Sequence, residues 1–153
     1  MFAAIRIRGS VKLRRDLRET LELLGLHRNH QLVLKPENDS MKSMLKKVEP
    51  YIAFGEMDAK TLAGLLEKRG RLPGEKKLDA AFLKKNQTES FLELAKTILD
   101  GKKTVREMGI KPVFRPHAPR KGFERAGIKK MFSVGGAAGY RANAINRLIE
   151  RMM

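Results

Sequence analysis

The sequence predicts an α+β fold: a two-layer β-α-β-α-β sandwich over residues 1–57, with a helical and extended C-terminal appendage. Three observations predict it. A strand-like alternation opens the chain, a leucine stripe at helical spacing follows, and two more strands are set off by proline and glycine before Met57.

In the opening stretch Ala3, Ile5 and Ile7 alternate with Ala4, Arg6 and Arg8. That is the pattern of a half-buried strand with a basic outer face. Gly9 and Ser10 end it. Leu13, Leu17, Leu21 and Leu24 then recur every three or four residues on one helix face, and Gly25 stands where a C-terminal cap belongs. Leu32 and Leu34 mark a second strand over residues 31–35, ended by Pro36, whose ring removes a backbone donor. Asn38, Asp39 and Ser40 are helix-starting residues. Met44, Leu45 and Val48 give that helix its buried side, and Pro50 closes it. The aromatic and aliphatic run at 51–54, with Gly55 after it, is the third strand. Two helices over three strands are expected to cover one sheet face and leave the other open to a partner.

Residues 58–110 read as a helical section. Asp58 caps a helix carrying Leu62, Leu65 and Leu66 that ends at Gly70, and Pro73–Gly74 marks a turn. A short helix is expected at 79–85. Thr88 opens a clearer one, with Phe91, Leu92, Ala95, Ile98 and Leu99 on one face. Residues 111–153 form the last section. From 111 to 127 there is no period, only proline, arginine and lysine, so the segment is expected to be an extended arm. A strand is expected at 130–134 and a closing helix at 141–152, with Ala142, Ile145, Ile149 and Met152 in register.

Charge narrows the function. Lys and Arg number 33 against 17 Asp and Glu, a formal net charge of +16. Such a charge repels itself unless a polyanion neutralises it. It is also segregated: 8 basic against 3 acidic residues in 1–35, and 13 against 3 in 101–153, while 36–57 and 58–100 are nearly balanced. Such segregation is harder to explain by solubility alone, and clustered basic charge is the usual footprint of nucleic-acid binding.

Other classes are poorly supported. The chain has no cysteine, which removes disulfides, thiolate metal sites and cysteine nucleophiles. Its longest apolar run, Met1 to Ile5, is too short to cross a bilayer, so no membrane partner is expected. Arg6 and Arg8 follow that run rather than precede it, unlike a signal peptide. His27, His30 and His117 lack the companions of a metal site, and no cofactor is expected. Ser133 has no acid and histidine linked to it by sequence, so the chain is not expected to be an enzyme. An RNA-processing enzyme and a nonspecific DNA-binding protein remain the alternatives.

Three basic segments are candidate RNA surfaces. The first is the loop from Gly9 to Lys12 with Arg14, Arg15 and Arg18 behind it, where arginine can grip phosphate bidentately. A solvated helix face is the competing reading. The second is the turn from Gly25 to His30, with Arg28 and His30. The third is Arg115 to Gly122, with His117, Arg120 and Lys121, held extended by Pro116 and Pro119. A structured RNA groove could order it; a disordered linker is its competing reading. Gly135 and Gly136, ahead of the last helix, could let a phosphate approach backbone donors, or could form a plain tight turn. A dinucleotide fingerprint is excluded there, because only 14 residues follow Gly139. Phe114, Phe123 and Tyr140 could stack on bases, with buried packing expected for at least one.

The run from Arg15 to Asp58 resembles the ribosomal L30 family, L7 in eukaryotes. The residues that carry the resemblance are Thr20 to His30, with their Leu-Gly-Leu-basic turn, and the strand Tyr51 to Glu56. Near the C-terminus, Gly135–Gly136–Ala137–Ala138–Gly139–Tyr140–Arg141 followed by Asn143 to Ile149 is similar to the family's glycine motif and helix. The continuation past the third strand, without a long basic N-terminal extension, fits the archaeal type. The resemblance implies a core related to half of a ferredoxin-like fold. It also implies a structural protein of the large ribosomal subunit in the cytoplasm. Its expected partners are large-subunit ribosomal RNA and neighbouring ribosomal proteins, with 5S RNA as a candidate neighbour. By motif it puts Arg28 on the family's basic turn and Lys12 and Arg14 in the first loop region, and Arg141 is a further RNA-binding candidate.

Overall fold

The computed structural model describes every residue except 80, 81, 84, 85, 87 and 89. The short helix expected at 79–85 lies largely outside the described residues. Five strands form one sheet in the order β4-β2-β1-β3-β5. Strand β1 (Phe2–Arg6) is central, with β2 (Leu32–Lys35) and β3 (Ile52–Glu56) antiparallel on either side. Strand β4 (Val113–Phe114) extends the sheet antiparallel to β2, and β5 (Gly139–Tyr140) extends it parallel to β3. Among the described residues the α-helices are α1 (Arg15–Leu24), α2 (Asp39–Lys47), α3 (Ala59–Arg69), α4 (Phe91–Leu99) and α5 (Ala144–Met152).

The α+β class and the β-α-β-α-β core are as expected, and the sheet face expected to be open is covered. Phe2, Ala4, Val33, Ile52 and Phe54 pack with Leu21 and Leu24 of α1 and Leu45 of α2. Ala3, Ile5, Leu32 and Ala53 pack on the opposite side with Leu62, Leu65 and Leu66 of α3, Leu94 and Ile98 of α4, and Ile145 and Ile149 of α5. The appendage is therefore a second helical layer. Every residue of β1 is therefore buried between two layers, and Arg6, on the Phe2–Ala4 side, is covered from α1 and the turn after it, which corrects the expected basic outer face.

Local chemistry sets the element ends. At Gly25 the chain turns left-handed, φ 84°, a conformation glycine adopts without penalty. Its N–H donates to the Glu22 carbonyl and that of Leu26 to the Leu21 carbonyl, closing a Schellman cap whose apolar member, Leu26, is fully buried. Helix α4 starts later than expected, because Ser90 rather than Thr88 caps it, accepting from the Glu93 N–H at 3.3 Å. The strand expected at 130–134 is instead a 3-10 turn at Phe132–Val134, and the pairing falls on β5.

The arm is docked rather than free. Phe114 is buried in β4, opposite Leu32. The N–H groups of His117 and Arg120 donate to the carbonyls of Met152 and Arg151 at 3.0 and 2.8 Å. The last carbonyls of a helix lack partners within it, so the arm caps α5. Asn146 ties α5 to the end of β3, donating to the Glu56 carbonyl and accepting from the Asp58 N–H, both at 3.0 Å. Among the described residues no helix is long and apolar enough to cross a membrane.

Candidate nucleic-acid interface

Antiparallel pairing places the end of β1 beside the starts of β2 and β3. The first two candidate segments, the loop after β1 and the turn before β2, therefore share one end of the sheet. Strand β4 delivers the third to the same end, since Phe114 lies level with Leu32 at the start of β2.

Arg6 holds this end together. Its guanidinium donates to the carbonyls of Leu26 and His27, each at 2.8 Å, to the Arg8 carbonyl at 2.9 Å and to Ser10 Oγ at 2.6 Å. Only 3% exposed, it is satisfied by oxygens in place of water. Burial, and then the nearby charge of Arg18, lower its pKa, an effect that Glu22 partly offsets. Gln31 shapes the turn from the other side: its Oε1 accepts from the N–H groups of His27 and Arg28 at 2.7 and 2.9 Å. Spacing gave no sign of either role, since both residues bond backbone carried there by the fold.

His30 sits at φ 65°, its N–H donating to the Arg6 carbonyl at 2.7 Å. Its ring stacks on Phe123 of the arm, centroids 6.2 Å and planes 16° apart. The second and third segments thus meet at this pair, and Phe123 serves as a packing residue against a turn histidine. Phe114 is core, and Tyr140 donates its hydroxyl to Glu56 at 2.5 Å. That hydrogen bond, followed by partial burial and the Glu56 and Glu37 charges, raises the tyrosine pKa.

The cations around this scaffold face water. Lys12, Arg14, Arg15, Arg18 and Arg28 are exposed, as are Arg115, His117, Arg120 and Lys121. Arg14 lies 3.4 Å from Asp16 and Arg15 lies 2.8 Å from Glu19. Exposed pairs of this kind hold their partners by about 0–1 kcal/mol, so the guanidinium groups stay available. Arg8 rests over the Tyr51 ring at 4.7 Å and donates to the Pro50 carbonyl.

Three candidates do not belong to this surface. Arg141 is 3% exposed. It donates to both Glu124 carboxylate oxygens at 2.8 and 2.6 Å and to the Ala137 carbonyl, and it lies 4.7 Å over the Phe132 ring. All of that binds protein, so Arg141 is a structural arginine. The N–H groups of Gly135 and Gly136 donate inward to the carbonyls of Phe132 and Met131. Gly136 is buried, with no room for a Cβ beside the Lys130 carbonyl, and the segment is a tight turn rather than a phosphate grip. Among the described residues no group of three or more His, Asp and Glu is placed to hold a metal ion.

The family model described as Ribosomal protein L30p/L7e matches residues 2–52, the stretch that builds β1, α1, β2 and α2 and reaches the start of β3. Similarity to individual proteins runs much further. The chain is 48% identical over 151 residues to the large ribosomal subunit protein uL30 of Nanoarchaeum equitans, covering 99% of this chain and 97% of that one. It is 46% identical to the protein of the same name from Methanococcus maripaludis strain C5 and 47% identical to that of Methanococcus vannielii, in each case over 152 residues and 99% of both chains. The matched length takes in the second helical layer, the docked arm and the glycine turn, and on that basis the chain belongs to the ribosomal protein L30p/L7e family.

Proposed function

We propose that this chain is a structural constituent of the large ribosomal subunit, in the cytoplasm, that binds and stabilises large-subunit ribosomal RNA through the cationic end of its sheet. It is a scaffold and not an enzyme. The observation that carries the RNA-binding reading is the pairing of a rigid interior with solvent-exposed cations. Arg6 and Gln31 fix two loops by buried hydrogen bonds, and Lys12, Arg14, Arg15, Arg18 and Arg28 project from them, with Arg115, Arg120 and Lys121 on the arm. Phosphate contacts from such a surface supply affinity, and the fixed geometry selects the RNA shape that fits. His30 supports this surface through its stacking, and His117 stands exposed beside Arg115. Neighbouring ribosomal proteins are the further partners, and 5S RNA is a candidate neighbour.

The test is sedimentation of the tagged chain from cell extract, before and after a moderate salt wash. Retention with the large subunit at about one copy per particle is expected of a tight multi-contact binder. Migration at the top of the gradient would overturn the scaffold reading. Crosslinking within the purified subunit then decides the 5S question.

A further inference from the structure

The end of α3, the turn that follows it and strand β4 enclose a cavity of about 420 Å³, lined by Arg69, Arg71, Glu75, Lys111, Pro112, Val113 and Arg115. Four cations thus face one carboxylate, two of them, Arg69 and Arg71, from a section whose overall charge is nearly balanced. Lys111 Nζ lies 2.5 Å from Glu75 Oε1, and Arg115 Nη1 lies 3.8 Å from the same oxygen. The carboxyl is held below its ordinary value, first by the Lys111 hydrogen bond and then by the Lys111 charge, which with the lesser Arg115 and Arg71 charges outweigh desolvation. Lys111 and Arg115 therefore converge on one anionic point, and Arg71, whose Nη1 donates to the Gly70 carbonyl, adds its charge nearby. The fourth, Arg69, donates through Nη2 to the Met153 carbonyl, and its Nε is buried without an acceptor among the described residues.

Glu75 is a poor permanent counter-ion. It stands at φ 62°, after Gly74 at φ 82°, on a turn exposed to water. Arg115 is 70% exposed at the cavity's edge. One carboxylate leaves this group at +3, and a tetrahedral anion with several acceptor oxygens satisfies convergent guanidinium and ammonium donors better than Glu75 does. The volume holds such a group with several waters, each of about 30 Å³.

Resting on the RNA-binding reading above, we propose that this cavity seats one phosphodiester of the ribosomal RNA backbone, and that Glu75 occupies the cations in the free protein and swings into solvent when the phosphate arrives. Arg115 then links this site to the arm, and the RNA contact extends from the sheet end along β4 to the end of α3. The site adds Arg69, Arg71 and Lys111 to the binding surface.

The experiment is a salt titration of binding between the full chain and large-subunit ribosomal RNA, for the unaltered chain, an Arg71→Gln/Lys111→Gln double variant and Glu75→Gln. The double variant is expected to lower the log–log salt slope by about 0.7–0.9, the value of one phosphate contact. Glu75→Gln is expected to tighten binding at low salt by about five-fold, the order for removing one like charge about 4 Å away in water. Misfolding cannot produce that gain. If the unaltered chain binds and both variants keep its slope and affinity, the cavity holds no phosphate, and the RNA-binding reading stands without it. If the unaltered chain does not bind, both fall together.

Discussion

Arg141 and Glu124 form a buried two-pronged ion pair, Nη1 to Oε1 at 2.8 Å and Nη2 to Oε2 at 2.6 Å, that fastens the arm to the turn before α5. Arg151 adds a third bond to Glu124 at 3.2 Å. Removing one member leaves a buried charge without its partner, which costs about 3 kcal/mol. Glu124→Ala is therefore expected to lower Tm by about 6–12 °C in a chain of this size. Arg141→Met is expected to lower stability too, while leaving the salt slope of RNA binding unchanged. A slope reduced in the folded Arg141→Met variant would return Arg141 to the contact surface.

The same pair sets an acid limit. Burial raises the Glu124 pKa, but the Arg141 hydrogen bonds, a backbone hydrogen bond and the Arg141 and Arg151 charges outweigh it and bring the group below its usual value. A carboxyl with a depressed folded pKa contributes stability that is fully present above its unfolded pKa, about 4.3 for glutamate. That stability is lost as pH falls through the lower folded value. Urea midpoints are thus expected to show no Glu124-dependent change from pH 7 to about 5 and a decline below about 4.3. In Glu124→Gln the acid decline should be shallower. Equal acid slopes in the two proteins would contradict the assignment.

Arg6 and Arg28 should separate stability from binding. Arg6→Ala strips donors from the carbonyls of Leu26 and His27, each worth about 1–3 kcal/mol when left unsatisfied in the interior. Lysine should rescue it poorly, because an ammonium lacks the planar fork that reaches several oxygens at once. Arg28 is exposed, and its N–H, not its side chain, meets Gln31. Arg28→Ala is expected to change stability by no more than about 0.5 kcal/mol and to lower the salt slope by about 0.7–0.9. Chemical denaturation and salt-titrated RNA binding on the two variants check both halves.

The contrast between these arginines shows what the sequence made legible. Helix α1 was readable because its leucine spacing and Gly25 are local signals, and both act in the structure as their chemistry suggests. Arg6 was not. Alternation in β1 assigns Arg6 to a solvent face only if that face stays bare, and the Phe2–Ala4–Arg6 side is the one that α1 and α2 cover, with the carbonyls of Leu26 and His27 carried back to Arg6 by the turn after α1. The docking of the extended arm was not legible for a related reason. A two-residue strand such as β4 has no period to detect, and its composition resembles that of an unstructured linker. The exposed cations of the sheet end were legible as charge, but their convergence required the strand register.

Close approach at Gly55 makes a separate test of how the last section docks. A Cβ there would run into the Ala142 carbonyl, just where the Arg141 N–H donates to the Phe54 carbonyl at 2.8 Å. Gly55→Ala must therefore push the turn before α5 away from β3. Overpacking of this kind costs about 1–3 kcal/mol. Hydrogen exchange is expected to speed up at Arg141 and at residues 144–149 more than in α1. Uniform exchange with unchanged stability would mean that the backbone there yields more easily than the contact implies.

The docked arm makes the sharpest prediction for binding. Arg115, Arg120 and Lys121 are exposed, while the arm's own backbone is fixed to α5 by the His117 and Arg120 N–H groups. Changing the three side chains together to alanine removes charge without removing those bonds, so the thermal midpoint should hardly move. If all three touch phosphate, the log–log slope of RNA binding against salt should fall by about 0.7–0.9 per residue. A preordered arm avoids the entropy cost of folding onto its target, so its loss should appear in that slope and not as a change in ordering on binding. An unchanged slope in the folded triple variant would remove the arm from the contact surface and leave the β1–β2 end to carry the interaction.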